Sequence, residues 1–148
     1  MKKKKTKTRN DYIKELDSVF SQYIRLRDSD SRWIVVCPLC KRRLFWKKAQ
    51  NMHFISRWVL RYRFNEQNCH AGCMRCNVIL NWNYIQYTIR MINTYWKNVI
   101  NEMLNNKRPY ELKTPDIIKL IHHYENKRDF LLRWKRFYIQ EKRDEQWD

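Results

Sequence analysis

Hydrophobic residues recur at helical spacing in three parts of the chain. Apolar positions between residues 10 and 28 form one stripe, which predicts an N-terminal helix. Residues 77–104 repeat apolar side chains at alternating spacings of four and three, which predicts one long helix. Thr114 before Pro115 is a good helix start, so a final helix is predicted over residues 115–143. The stripe of the long helix packs either on the first or last helix of this chain or on a second copy, and it includes Ile85, Ile89, Ile92 and Trp96.

Between the helices the pattern changes to that of short strands. Residues 33–37, WIVVC, are aromatic and β-branched and predict a strand that ends at a cysteine pair. Residues 43–48, RLFWKK, suit the partner strand of a hairpin, and residues 51–55 predict another extended segment. We therefore expect an α-rich α+β fold with one domain over residues 10–148, a core at residues 33–77 and a flexible basic arm at residues 1–9.

Charge narrows the choice of partner. Lys and Arg number 32 against 15 acidic residues, a net charge of +17, and nucleic acid is the partner that such an excess favours. A membrane surface and a merely soluble basic protein are the alternatives. The chain has no apolar run of the roughly 20 residues that span a bilayer. Its first ten residues lack the apolar stretch of a signal peptide, so a reducing cytoplasm is the expected location.

Two CxxC motifs predict a metal site. Cys37 with Cys40, and Cys73 with Cys76, have the spacing at which two thiolates bind one tetrahedral ion. Together they predict structural Zn²⁺ with no open position for catalysis. Redox chemistry at either pair is the alternative, although the pattern of strands and helices that accompanies it is absent. The fifth cysteine, Cys69, is expected to be a small buried apolar residue.

The residues between and just after these pairs suggest chemistry. His53, Asn68 and Asn77 occur in the order that HNH, or ββα-metal, nucleases use. In that interpretation His53 is the general base, Asn68 orients it, and Asn77 binds Mg²⁺ or Mn²⁺. His70 is a further candidate at this site. The structural alternatives are a packing histidine, a turn at Asn68 and a helix cap at Asn77.

Basic side chains concentrate around His53. The segment SRWVLRYRF brings arginines beside aromatic residues, a combination that binds phosphates and stacks on exposed bases. The alternative is a solvated loop that contributes a few aromatic residues to the core. The predicted DNA-binding side chains are Arg57, Arg61 and Arg63 in this segment and Arg42, Arg43, Lys47 and Lys48 on the hairpin.

These motifs together resemble the NinG/Rap family of phage recombination nucleases. The matching pieces include CPLC, HFISR, RFNEQNCHAGCMRCNVIL and YELKTPDIIKLIHHYENK, in family order from about residue 15 to about residue 130. The resemblance implies a metal-dependent endonuclease that cuts branched double-stranded DNA, such as Holliday junctions and D-loops. It also implies a homodimer that acts in the cytoplasm of a bacterial host.

The chain departs from that family at one position that bears on catalysis. Family members often carry Asp-Ala-Gly-His where this chain has Gln50 to His53. Gln50 thus replaces an acid that helps to hold the catalytic cation. Asn77 with substrate phosphates could hold the ion instead, with help from Gln50 itself or from Glu66, and a weakened or inactive enzyme is the remaining alternative. The other interpretations are a non-catalytic zinc-containing DNA-binding protein and a nuclease that cuts RNA or any duplex.

Overall fold

The computed structural model describes residues 6–106 and 108–144, so the first five residues of the predicted basic arm lie outside the described part. Within that part the fold is helix-rich α+β with two small antiparallel sheets. In chain order, the elements are α1 (Arg9–Arg27), β1 (Ile34–Val36), β2 (Arg43–Phe45), β3 (Gln50–His53), α2 (Leu60–Arg63), β4 (Cys69–Gly72), α3 (Tyr84–Thr94), α4 (Lys97–Asn105) and α5 (Thr114–Asp144).

Helices α1 and α5 pack against each other and form the main core. Thr8 caps α1, and its hydroxyl accepts from the Asp11 N–H while the Asp11 carboxylate accepts from the Thr8 N–H. Phe20 of α1 meets Tyr124 of α5 edge to face, with ring centroids 4.7 Å apart. Truncating such a buried ring costs about 3–5 kcal/mol, so this contact fixes how α5 lies across α1.

The two sheets hold the cysteines and His53. β1 pairs with β2 as the predicted hairpin, and Cys37 and Cys40 lie in its turn. β3 pairs with β4 so that Gln50 faces Gly72 and His53 faces Cys69. A side chain at Gly72 would overlap the buried side chain of Met52, which explains the glycine at this position.

The prediction of one long helix over residues 77–104 is wrong. A turn of π-helix at Arg75–Ile79 and a 3₁₀ turn at Asn81–Asn83 precede α3, and extended residues Tyr95 and Trp96 separate α3 from α4. At the break, the Tyr95 hydroxyl lies 3.1 Å from Nε2 of buried His70.

The apolar stripe of α3 does not pack on α1 or α5. Tyr87 and Met91 are buried, whereas Ile85 and Trp96 are 75% and 86% exposed. The interpretation that this stripe packs on the first or last helix of the same chain is therefore wrong.

Candidate functional site

Four thiols meet between the β1–β2 turn and the end of β4. The Sγ atoms of Cys37, Cys40, Cys73 and Cys76 all lie within 4.8 Å of one another. A tetrahedral zinc ion with Zn–S bonds of about 2.3 Å needs sulfur atoms about 3.8 Å apart, so these residues fit zinc. The ion would join two segments that are more than 30 residues apart in the chain.

The local backbone explains why the thiols converge. Lys41 takes a left-handed conformation, φ 62°, and its N–H donates to the Cys37 carbonyl, which turns Cys40 back toward Cys37. The Arg42 backbone lowers the pKa of the Cys40 thiol to about 7. Burial raises the pKa of Cys73 and of Cys76, because desolvation disfavours their charged thiolates.

A polar cavity of about 320 Å³ lies beside this cluster. It brings together four residues that the sequence singled out and several that it did not. Its lining comprises His53, Gln50, Asn77 and Arg57 together with Asp17, Ser21, Arg25, Ala49 and Asn51. The cavity thus combines an imidazole, amide oxygens and guanidinium groups. Such groups together can bind a phosphate and activate water.

His53 is held in one tautomer by the backbone. Its Nε2–H donates to the Arg63 carbonyl at 3.0 Å, so Nδ1 is the basic nitrogen. Burial lowers the pKa of His53, and the nearby cation of Arg57 lowers it further, while Asp17 raises it. The ring is therefore neutral at pH 7, the form that accepts a proton.

Asn68 is fully buried and fastens the segment that carries this carbonyl. Its Nδ2 donates to the carbonyls of Ile55 and Tyr62, both at 2.9 Å, and its Oδ1 accepts from the Ile55 N–H. The predicted role of orienting His53 is thus not a direct contact. Asn68 fixes the backbone next to Arg63, and the Arg63 carbonyl contacts the imidazole.

The Arg63 side chain forms an ion pair with Asp17. Its Nε donates to Asp17 Oδ1 at 2.9 Å and its Nη2 donates to Asp17 Oδ2, and its side chain is 14% exposed. Arg57 approaches the same carboxylate at 3.3 Å but is half exposed. Of these two predicted phosphate ligands, Arg57 therefore presents its guanidinium to the cavity, whereas Arg63 joins α1 to α2.

Gln50 and Asn77 contact each other across the cavity wall. Asn77 Nδ2 donates to Gln50 Oε1 at 2.8 Å, and the buried Asn77 Oδ1 has no hydrogen-bond partner among the described residues. An orphaned oxygen costs free energy unless a donor or a cation reaches it. Amide oxygens are among the ligands of hard divalent cations, so Asn77 Oδ1 is the atom of this pair that could hold one.

His70 does not reach this cavity. Tyr87 donates its hydroxyl proton to the Met52 carbonyl, so it accepts from His70 Nδ1–H at 3.0 Å, and His70 Nε2 accepts from Tyr95. Both ring nitrogens are occupied inside the core, where burial lowers the pKa of His70 to about 4. In this arrangement His70 does not line the cavity with Asn77 and Gln50, the other predicted ligands of the catalytic cation.

The other predicted cationic residues divide into two groups. Arg61 donates to the Pro109 carbonyl and lies over the Tyr110 ring, so it secures the segment before α5. The remaining side chains are exposed on or beside the β1–β2 hairpin: Arg42, Arg43, Lys47 and Lys48. Only the second group is available to a long anionic partner.

Glu66 cannot replace the missing acid, because Tyr23 and Lys127 bind its two carboxylate oxygens at 2.6 Å each. Sequence reasoning missed Asp17 and Arg25, the charged residues that α1 contributes to the cavity. Both lie in an ordinary amphipathic helix, and nothing in their spacing relates them to residues more than 20 positions away.

Cys69 is buried, as predicted, and burial raises its pKa well above the usual range. Among the described residues, none of the helices is both long and apolar enough to cross a membrane.

Comparison with known proteins agrees with the resemblance seen in the motifs. The model of the family described as bacteriophage lambda NinG protein matches residues 1–133, which is most of the chain. Comparisons with curated proteins and with solved structures gave no match. The family match includes both cysteine pairs and every residue of the cavity, and on this ground the chain belongs to the bacteriophage lambda NinG protein family.

Proposed function

We propose that this protein is a metal-dependent HNH-type endonuclease that cuts branched DNA such as Holliday junctions and D-loops. Membership of the NinG family indicates a role connected with phage recombination. The observation that carries the proposal is the shared cavity of His53, Asn77 and Arg57, which lies on two antiparallel strands and a helical turn beside four clustered thiols.

His53 acts as the general base. Its neutral ring holds a lone pair on Nδ1, and the hydrogen bond from Nε2–H to the Arg63 carbonyl stabilises the imidazolium that forms when water gives up its proton. Asn68 keeps that carbonyl in place through its bonds to the flanking backbone. The proton thus moves to a nitrogen whose orientation the fold has fixed in advance.

Asn77 Oδ1, with Gln50 Oε1 beside it, is the protein's contribution to a Mg²⁺ or Mn²⁺ site. A bound divalent cation would stabilise the negative charge that develops on the leaving oxygen. Arg25 and Arg57 line the same cavity and attract a phosphate, whose oxygens add to those of the two amides. The cavity contains one acidic residue against two arginines, so DNA phosphate is needed to complete a cation site there.

The exposed face of α3 supports a homodimer. Ile85, Ile89 and Ile92 lie on it with Trp96 just beyond its end, and all are between 48% and 86% exposed. Two copies would present two active sites to the two equivalent strands of a junction. Sedimentation of the wild type should show a dimer that Ile85→Glu dissociates, whereas a monomer at every concentration would remove this part of the proposal.

The test of activity compares three labelled substrates in Mg²⁺: a four-way DNA junction, a linear duplex of the same sequence, and RNA. We expect cuts in the junction first, and a rate at least about 10²-fold lower for His53→Ala with junction binding intact. His122→Ala, on the surface of α5, is the matched control and should cut normally. Equal cutting of all three substrates would instead indicate a general nuclease.

A non-catalytic zinc-containing junction-binding protein is the second candidate. Gln50 favours it, and so does the pairing of the cavity's one acid, Asp17, with arginines. Junction binding without cuts at any concentration of Mg²⁺ or Mn²⁺ would select this candidate.

A further inference from the structure

A second hollow, of about 410 Å³, is lined by three aromatic residues, Trp33, Phe45 and Trp46, together with Gln22, Lys47, Leu132 and Arg136. Trp46 is its buried floor, and Trp33 and Phe45 lie beside it with ring centroids 6.2 Å and 6.4 Å away. Phe45 is 43% exposed, so a flat ligand can reach the rings from solvent. We call this site the aromatic hollow.

The backbone is constrained to put Trp33 there. Trp33 adopts φ 66°, a left-handed conformation that a bulky residue rarely takes. Asp30 holds the turn, because its carboxylate accepts from the N–H groups of Arg32 and Ile34 at 2.9 Å and 2.8 Å. The Trp33 carbonyl in turn accepts from the Trp46 N–H at 2.9 Å, which ties the two tryptophans together.

Positive charge surrounds the rings. Lys47 and Arg136 line the aromatic hollow, and its lining includes no acidic side chain among the described residues. Arg25 connects it to the candidate active site, because its guanidinium lies 5.6 Å from the centre of the Trp46 ring while Arg25 also lines the cavity of His53. A chain of phosphates could therefore pass from one site to the other along cationic groups.

From this arrangement we infer that the aromatic hollow binds an unpaired nucleobase of the DNA strand whose phosphate occupies the His53 cavity. Aromatic side chains stack on any base, while the flanking cations bind the backbone. In an intact duplex the bases stay stacked on one another, so the hollow remains unfilled. At a branch point an unstacked base is available at little cost, which would produce selectivity for branched DNA.

This inference rests on the proposed function, and a binding experiment without divalent cations separates the two. Two labelled duplexes of one sequence, with and without a single bulged base, are titrated by fluorescence anisotropy with the wild type, Phe45→Ala and Phe130→Ala. Phe130 is the matched control, since it is a 61% exposed aromatic on α5 outside the hollow. Phe45→Leu keeps apolar bulk without the ring, in case Phe45→Ala fails to fold.

We expect the wild type to prefer the bulged duplex, Phe45→Ala and Phe45→Leu to lose about tenfold in affinity for it alone, and Phe130→Ala to bind as the wild type does. A loss by the Phe45 variants that is equal on both duplexes, or no loss on either, would overturn the inference. If the protein cuts no DNA yet shows this Phe45-dependent preference, the nuclease proposal fails and the base site stands. If the protein cuts junctions and the Phe45 variants keep the wild-type preference, the nuclease proposal stands and the base site fails.

Discussion

At the residue scale, the orientation of the candidate base His53 depends on a backbone carbonyl and on an acid that is distant in the chain. His53 donates to the Arg63 carbonyl, and the Arg63 guanidinium is held by both oxygens of Asp17. Asp17 belongs to α1, 46 positions before Arg63. Asp17 is therefore a positioning residue for His53, because it fixes the residue whose carbonyl sets the tautomer.

Asp17→Asn tests this relation. We expect cleavage to slow by roughly tenfold to a hundredfold, because the imidazole loses its fixed acceptor, with DNA affinity little changed. Unfolding should become easier by about 1–3 kcal/mol, since Arg63 is left without its charged partner. Asp17→Glu should recover part of the rate.

Asp129→Asn, which removes a partly buried ion pair with Arg128 away from the cavity, provides the control and should leave the rate unchanged. If Asp17→Asn were as stable and cut as fast as the wild type, Asp17 would have no positioning role.

At the element scale, the two cysteine turns determine whether the sheets stay together. β1–β2 and β3–β4 are separate two-stranded sheets, and isolated pairs of this size are marginal in water. Clustering of the thiols joins them, which is why the zinc site is expected to be structural.

Cys73→Ser should therefore abolish zinc binding and unfold the core around His53. Structural zinc sites contribute apparent free energies of about 10–16 kcal/mol at pH 7, more than a domain of this size has in reserve. Bound zinc is measured by atomic absorption and unfolding by circular dichroism. Cys69→Ala, a buried cysteine outside the cluster, should keep one zinc per chain; normal melting of zinc-free Cys73→Ser would contradict a structural role.

The packing of β4 against α3 should lose stability at low pH. His70 bonds to Tyr87 and Tyr95 as a neutral ring, and its pKa of about 4 lies below the value of about 6.5 for an unfolded chain. The unfolded state thus binds the proton first, so the contribution of His70 is complete above about pH 6.5 and is lost as the pH falls toward 4. The loss amounts to roughly 3 kcal/mol.

Melting curves of the wild type and His70→Gln between pH 4 and pH 7 measure this loss, because zinc release at low pH affects both proteins alike. The difference in stability between them should shrink on acidification. Exposed His122→Gln should track the wild type, and a pH-independent difference for His70→Gln would show that its ring does not titrate in this range.

At the scale of the whole molecule, charge dominates. A net charge of +17 on 148 residues makes DNA affinity depend on the release of counterions. Affinity should fall by roughly 10³ or more between about 50 and 200 mM salt, if about six to ten phosphates are contacted.

Lys48→Ala, on the exposed turn after β2, should reduce the salt slope by about one. Lys119→Ala on α5, whose side chain is 80% exposed, is the control for loss of charge alone. A flat salt response would show that phosphate contacts do not provide the affinity.

The sequence by itself determined the features that depend on neighbours in the chain. Both cysteine pairs, the β1–β2 hairpin, the extent of α1 and the start of α5 at Thr114 follow from local spacing, since a metal turn or a helix face needs only a few consecutive residues. The cap of α1 is Thr8 and not Asn10 or Asp11. The order of His53, Asn68 and Asn77 predicted the candidate site for the same reason.

Only the tertiary structure decided which side chains face the cavity. In the tertiary structure Arg63 pairs with Asp17, and His70 lies in the core. The predicted long helix is interrupted at Tyr95, and the apolar stripe of α3 is exposed. Each of these depends on a contact between residues that are distant in the chain or on the choice of one helix face over another. Such contacts leave no periodic signal in the sequence, because any amphipathic helix could supply the same polar residue.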